Sequence, residues 1–305
     1  EPGSTMKPLT VAAGLEAGVI TPTSMFNTSP GWIPNGRYRT NDTHNYGVLD
    51  TTGVIRKSSN VGAAMIAKRL GDRQFYEFMR RFGYGHSTGS GFPGEAAGTL
   101  AAPDRWDGTS KQTMSYGYAL SVTPLQIAAA YAALGNGGLL HQPSFVKDQH
   151  NAPKRVLDAK IANEVLHMMQ TVTEPGGTAT QAAILGYHVA GKTGTSRKAS
   201  AGGYSRRYIG YFAGLVPVEN PRFSMVVAIN DPTKGSYYGG IVAGPVFRNT
   251  MEGALRMMDV SPDNLDAWLA AQAEAEAKRL KASGRALPAQ STAAMPSAPA
   301  ARAVQ

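Results

Sequence analysis

Ser4 and Lys7 stand three residues apart in the opening run EPGSTMKPLTVAAGLEAG, at the start of an apolar, Ala-rich stretch. On a helix, positions i and i+3 are surface neighbours, so this spacing brings the lysine amine to the serine hydroxyl. A serine hydroxyl is too weakly acidic to attack an amide alone and needs an adjacent base to take its proton. Lysine serves only when neutral, and burial or a nearby positive charge pushes it that way. Pro8 directly after Lys7 fits only the first helical turn, which places Ser4 near a helix amino terminus.

Two further stretches complete the set. RKSSNVGAAMIAKRLG holds Ser58 and Asn60, the only S-x-N in the chain. Both residue types favour helix caps, and a hydroxyl and an amide at a helix start can also relay a proton and orient a substrate amide. GYHVAGKTGT holds Lys192, Thr193 and Gly194, the only K-[ST]-G. If this segment is a strand, alternation aims Lys192 and Gly194 to one side and Thr193 and Thr195 to the other, with some blurring at a sheet edge. Gly194, lacking a Cβ, would let a substrate backbone lie against the strand.

Three competing patterns fail on context. Gly186, Gly191, Lys192 and Thr193 satisfy the phosphate-loop pattern, but a phosphate loop needs a helix directly after it, and GTSRKASAGGYSRRY leads to another strand. GHSTG at 85–89 matches a nucleophile elbow, yet Ser87 follows a helix and precedes GSGFPGE, which makes it a loop residue. Ser144 and Lys147 repeat the S-x-x-K spacing, but Pro143 and β-branched neighbours favour an extended segment whose side chains diverge.

Helical periodicity with proper ends marks DRQFYEFMRRFG from a capping Asp72, TPLQIAAAYAALGNGG from a capping Thr123, residues 158–173, and a helix from Pro245 that aligns Phe247, Met251, Leu255 and Met258. Strand signals follow later, in YHVAGKTGTS, RYIGYFAGLVP and RFSMVVAIND, and suggest an antiparallel meander packed against helices. After residue 260 come one Ala/Glu/Lys-rich helix candidate, 263–283, and an Ala/Pro/Ser-rich tail too poor in apolar residues to order itself. The expected organisation is one domain, 1–260, with a C-terminal appendage, 261–305.

Composition narrows the chemistry. Of 305 residues, 42% are hydrophobic, enough for a real core. The net charge of +9 describes an ordinary basic surface, and no basic block interleaved with aromatics points to nucleic acid. With no Cys, thiol nucleophiles and zinc-thiolate sites are excluded. None of the six His (44, 86, 141, 150, 167 and 188) pairs with another at helical ligand spacing, so no metal or other cofactor is expected. No 18-residue apolar run and no signal peptide is present. The chain opens on Glu1 inside a motif and reads as a fragment.

S-x-x-K, S-x-N and K-T-G in that order resemble the motifs of penicillin-binding proteins and serine β-lactamases. SYGYALSVTPLQIAAAYAALGNGG, TEPGGTAT, GFPGE, GKTGTS and YYGGIVAGPVFRNTM resemble the transpeptidase domain of class B penicillin-binding proteins, of the division-specific, penicillin-binding protein 3-like type, through about residue 260. The resemblance implies an α/β (α+β) transpeptidase fold, β-lactamase-like, with an antiparallel sheet flanked by helices. It implies that Ser4 attacks the D-Ala-D-Ala carbonyl of a stem peptide, with Lys7 as base and Ser58 relaying the proton. Asn60 would hold the substrate amide and the lysine, and Lys192 would set a positive potential. Thr193 and Thr195 would bind the terminal carboxylate, and the N–H groups of Ser4 and Thr195 would form the oxyanion hole. Tyr237 and Tyr238 resemble an aromatic wall beside the cleft, with core packing the other reading; Tyr116 and Tyr118 are similar candidates.

Implied partners are peptidoglycan stem peptides, β-lactam antibiotics and division-complex membrane proteins including a glycosyltransferase, with no nucleic acid and no nucleotide. The implied location is the periplasmic face of the bacterial inner membrane. A serine β-lactamase and a β-lactam-sensing receptor share the three motifs, although no paired glutamate motif for deacylation is found. The family places strands and a helix ahead of the S-x-x-K helix, so the expectation is an incomplete sheet of the three late strands, poor activity and low stability for this chain alone.

Overall fold

The computed structural model describes residues 1–149, 151–200 and 203–282; His150 and the tail beyond residue 282 lie outside them. In chain order the elements are a 3-10 turn (Gly3–Met6), α1 (Lys7–Glu16), β1 (Met25–Asn27), β2 (Trp32–Asn35), β3 (Tyr38–Asn41), β4 (Val48–Asp50), α2 (Thr51–Arg56), α3 (Asn60–Lys68) and α4 (Asp72–Arg81). There follow α5 (Ser110–Ser115), α6 (Pro124–Gly135), β5 (Leu139–Leu140), β6 (Lys154–Arg155) and α7 (Ala159–Gln170). The last are β7 (Ala190–Ser200), β8 (Gly203–Val216), β9 (Phe223–Asn230), α8 (Gly239–Val242), α9 (Gly244–Met257) and α10 (Leu265–Ala282). Glu1–Asn264 form one compact unit, and α10 belongs to a second.

Helix α1 is the axis of the first unit. Every residue from Lys7 to Leu15 is buried, the signature of a helix enclosed on all sides, and α2, α3, α4 and α7 pack around it. Around it, helix ends follow local chemistry. Thr123 and Gln126 form a reciprocal capping box at α6, with Pro124 in the first turn. Asp158 caps α7 by accepting from Lys160 N–H. At α4 the expected cap shifts by one: Gly71 holds the extended N-cap conformation and Asp72 is the first helical residue, its carboxylate 2.7 Å from Lys111 Nζ.

The main sheet has the order β7-β8-β9, antiparallel throughout. β8 is central and buried on both faces from Gly210 onward, which accounts for its unbroken small and apolar sequence. Gly214 faces Phe247 of α9, whereas its neighbour Leu215 faces Gly135 of α6, so the two helices cover opposite faces. β7 has β8 on one side only and is an edge. The 3-10 turn Gly3–Met6 and α8 contact it, and through them the site is built.

Three two-stranded pairings, β1-β4, β2-β3 and β5-β6, were not expected from the sequence. Their strands are two to four residues long, too short to develop a readable alternation. The helix from Pro245 keeps Phe247, Met251 and Leu255 buried, but Met258 lies beyond its end and is exposed. Among the described residues, no helix is long and apolar enough to cross a membrane.

Candidate active site

Ser4 lies in the 3-10 turn rather than in α1 itself, and Lys7 opens the helix with Pro8 behind it. A loop from α5 seats the turn: Gly3 N–H donates to Gly117 O at 3.0 Å and Thr10 Oγ1 donates to Ser115 O at 2.7 Å. Tyr131 of α6 adds a bond from its hydroxyl to Thr5 O at 2.8 Å. Gly117 is required twice over. Its φ is +90°, and a Cβ there would lie 1.9 Å from Gly3 O.

The S-x-N turn is shaped by the end of α2. Ser58 N–H donates to Ile55 O at 3.1 Å and Ser59 N–H to Val54 O at 3.0 Å. That is the Schellman pattern, and it requires a left-handed residue at position 58, usually glycine. Ser58 fills it with φ +60°, at a cost of roughly 1–2 kcal/mol. The strain gives Ser58 a side chain aimed into the site. The cap of α3 is Ser59, whose hydroxyl accepts from Gly62 N–H at 2.8 Å, so capping does not occupy Ser58 or Asn60.

On β7, alternation places Lys192 and Gly194 toward the Ser4 turn and Thr193 and Thr195 toward α8. Lys192 Nζ nevertheless curls at the free edge to within 3.1 Å of Thr193 O and 3.3 Å of Thr193 Oγ1. The expected purpose of Gly194 is corrected here. Its missing Cβ would meet Pro2 O and Thr5 Cγ2, each at 3.1 Å, so the space admits the nucleophile's own turn rather than a substrate backbone. Thr193 Oγ1 lies 2.9 Å from Thr178 Oγ1, and Thr195 Oγ1 accepts from Gly239 N–H at 3.1 Å.

These parts meet in one continuous line. Lys7 Nζ is 2.9 Å from Ser4 Oγ and 3.1 Å from Ser58 Oγ, and also donates to Ser58 O. Lys192 Nζ lies on the other side of Ser58 Oγ, at 2.8 Å. Both lysines are fully buried. Burial lowers Lys7 from 10.5 to about 7, opposed by the Asp42 charge. Lys192 is driven well below the lysine range by burial and then by Lys7. Burial and the neighbouring Lys7 amine thus oppose the positive charge expected of Lys192.

Residues 1–252 match the family model described as penicillin binding protein transpeptidase domain. The chain belongs to the penicillin-binding protein transpeptidase family. A probable peptidoglycan D,D-transpeptidase PenA of Neisseria flavescens is 44% identical over 265 residues, 86% of this chain and 66% of that protein. The peptidoglycan D,D-transpeptidase FtsI of Escherichia coli K12 is 43% identical over 267 residues, 87% of this chain and 45% of that protein. The chain thus spans about half to two thirds of the length of these curated relatives. Among solved structures, the apo transpeptidase domain of Burkholderia pseudomallei penicillin-binding protein 3 superposes with a TM-score of 0.82 at 37% identity, covering 86% of this chain and 81% of that one.

Within this penicillin-binding transpeptidase fold, Ser4, Lys7, Ser58 and Lys192 converge, with Thr193 alongside. Asn60 is close in the chain but hydrogen-bonds to neither lysine; its Nδ2 donates to Asn41 O at 2.8 Å. Tyr237 and Tyr238 are 38% and 49% exposed, which removes the core reading, and Tyr237 stacks on Tyr208 at 4.2 Å. Tyr118 and Tyr116 form an edge-on pair, and the Tyr118 hydroxyl accepts from Arg197 N–H at 3.4 Å near the far end of β7.

The competing motifs stay apart from this cluster. β7 runs on as a strand to Ser200 with no helix behind Lys192, and Ser87 is in a loop, its hydroxyl 3.1 Å from Glu95 Oε2. The segment from Ser144 to Lys147 does not stay extended as expected: it bends at Phe145 and Val146 and turns at Lys147, with Val146 N–H donating to Ser144 Oγ at 3.0 Å. Sequence reasoning missed Asp42, Gly117, Tyr131 and Thr178. Only Gly117 left a signal, as a lone glycine in SYGYALS.

Proposed function

We propose that this chain is the catalytic part of a peptidoglycan D,D-transpeptidase that crosslinks stem peptides in septal wall synthesis and is acylated by β-lactams. The observation that carries this reading is the unbroken line Ser4 Oγ, Lys7 Nζ, Ser58 Oγ, Lys192 Nζ at the open edge of β7. A stem peptide ending in D-Ala-D-Ala would lie along that edge as an added strand.

Neutral Lys7 takes the Ser4 proton while Ser4 Oγ attacks the penultimate D-Ala carbonyl, a form of base catalysis worth typically 10²–10⁴-fold. The oxyanion receives the N–H groups of Ser4 and Thr195, each donor contributing about 2.7–4 kcal/mol. Collapse breaks the peptide bond; the proton passes from Lys7 through Ser58 to the departing D-Ala amine. The acyl group stays on Ser4 until the amine of a second stem attacks, giving its proton back along the same line and restoring Ser4 Oγ–H. The substrate carboxylate would rest beside Thr193 and Thr195 and draw a proton onto Lys192. That leaves Lys7 the neutral member of the pair.

By the same family reasoning the protein works at the outer face of a bacterial inner membrane, with division proteins and a glycosyltransferase as partners. Among the described residues Asp42 is the carboxylate whose charge is felt at Lys7, and its oxygens are bound to Ser59, Asn60 and Val61. It is not offered to a hydrolytic water, so a long-lived acyl-enzyme is expected instead of β-lactamase turnover. The test is incubation of the full-length protein with a fluorescent penicillin, followed by crosslinking of lipid-linked substrate. Labelling that survives Ser4→Ala would overturn the nucleophile; rapid release of hydrolysed penicillin would favour a β-lactamase; stable labelling without crosslinking would favour a sensor.

A further inference from the structure

Ser58 presents two oxygens to two amines from a left-handed backbone, and the Schellman end of α2 explains only the chain entering that position. The chain leaving it is gripped from outside. Asp42, just past β3, accepts from Ser59 Oγ at 2.6 Å through Oδ2, and from the N–H groups of Asn60 at 2.5 Å and Val61 at 3.0 Å through Oδ1. Its neighbour Asn41 accepts the Asn60 side chain at 2.8 Å through its carbonyl. Each of the three residues after Ser58 is therefore tied to the Asn41–Asp42 pair.

The β2–β3 hairpin that carries this pair is itself anchored. Asp42 N–H donates to Gly31 O at 2.9 Å, Asn35 Nδ2 donates to Thr113 Oγ1 at 3.2 Å, and Thr40 Oγ1 lies 3.3 Å from the Tyr116 hydroxyl. Helix α5 and the loop directly after it thus seat the Ser4 turn through Gly117 and the Ser58 turn through the hairpin. A misplacement of about 1 Å at either turn would separate groups that now lie 2.8–3.1 Å apart.

Charge points the same way as this geometry. Asp42, just past the hairpin, is the charge that bears on Lys7, Lys7 in turn bears on Lys192, and Ser4 and Ser58 contribute neutral hydroxyls. Two buried amines would repel each other's proton, and Asp42 is the opposite charge that offsets their burial at Lys7. At the start of α3 the Ser59 hydroxyl takes only the Gly62 N–H, and Asp42 takes those of Asn60 and Val61, so the carboxylate fixes the residues directly after Ser58.

We propose that Asp42 is a positioning residue for acyl transfer, holding the Ser58 turn in place and supplying a counter-charge to Lys7. This deepens the transpeptidase reading and rests on it. No contact between Asp42 and substrate is implied; it acts through Ser58 and Lys7.

The experiment is the pH dependence of acylation of the full-length protein by a fluorescent penicillin, for wild type, Asp42→Asn, Asp42→Ala and Ser59→Ala, with melting midpoints in parallel. Asp42→Asn keeps the shape and one acceptor oxygen but loses the charge. Its plateau rate should fall several-fold, and its acid limb should move to lower pH by about half a unit, because an amine without its counter-charge releases its proton more readily. Asp42→Ala should lose roughly 100-fold in plateau rate. Ser59→Ala should lower the melting midpoint and leave the acid limb where it is.

An Asp42→Asn protein that folds and titrates like wild type overturns the counter-charge role. An Asp42→Ala protein acylated at the wild-type rate overturns the positioning role. Failure of wild type itself to label is a separate outcome, and it refutes the transpeptidase reading beneath both.

Discussion

The same four-residue spacing occurs twice in this chain and makes a site once. At Ser4–Lys7 the pair spans a 3-10 turn and the first residue of a buried helix, with the amine 2.9 Å from the hydroxyl. At Ser144–Lys147 both residues are exposed on either side of a bend, and the serine hydroxyl is turned to Val146 and Gln149. Residue types are identical, so the difference is supplied by surroundings: burial that strips the proton from an amine, and a fixed backbone that holds the hydroxyl beside it.

The sharpest way to break that comparison is to remove the hydroxyls. Ser4→Ala in the full-length protein should abolish covalent labelling by a fluorescent penicillin, while Ser144→Ala should label at the wild-type rate; a gel readout separates the two.

Removing the amines comes next. Lys7→Met should slow acylation by about 10³-fold, within the range for loss of a general base, and Lys147→Met should not change it. The same change should stabilise the fold. The folded pKa of Lys7, about 7, lies below its unfolded value of 10.5, so below pH 7 both states are protonated and the folded state carries the full burden of a buried charge. Between pH 7 and 10.5 the unfolded chain binds more protons and stability rises with pH. Lys7→Met should therefore melt higher than wild type at pH 6, by about 1–3 kcal/mol in stability, and the advantage should shrink toward pH 10. Melting curves at the two pH values check this.

A smaller contrast concerns backbone. Gly117→Ala places a Cβ against Gly3 O and should cost about 3 kcal/mol together with most acylation. Gly91→Ala, near the second Ser–Lys pair, has the same left-handed demand at φ +78° but meets nothing within 4 Å, and should cost about 1 kcal/mol without touching acylation. Chemical denaturation of both variants measures the difference.

How far the sequence could be read follows the same division between local and long-range causes. Helices α6 and α7 were legible because cap and period agree within a dozen residues, with a first-turn proline added at α6, and the three long strands because β-branched and aromatic runs are bounded by turns. Ser4, Lys7, Ser58 and Lys192 were legible as motif members. Ser59 as the true cap was hidden by its neighbours, since Ser58, Ser59 and Asn60 are all cap-forming types and only the Schellman geometry of α2 decides among them. Asp42 left no trace because its partners are 17 to 19 residues further along, beyond β4 and α2. The role of Gly194 was misread for a related reason: what fills its missing side chain is the far end of the chain, Pro2 and Thr5.

The central claim is that burial leaves Lys7 neutral near physiological pH, so that it can take the Ser4 proton. Its most direct test is the second-order rate constant for acylation of the full-length wild-type protein across pH 5 to 10. The account predicts an acid limb with its midpoint near pH 7 and a plateau above about pH 8. A rate that keeps climbing toward pH 10, as an ordinary exposed lysine would dictate, contradicts it.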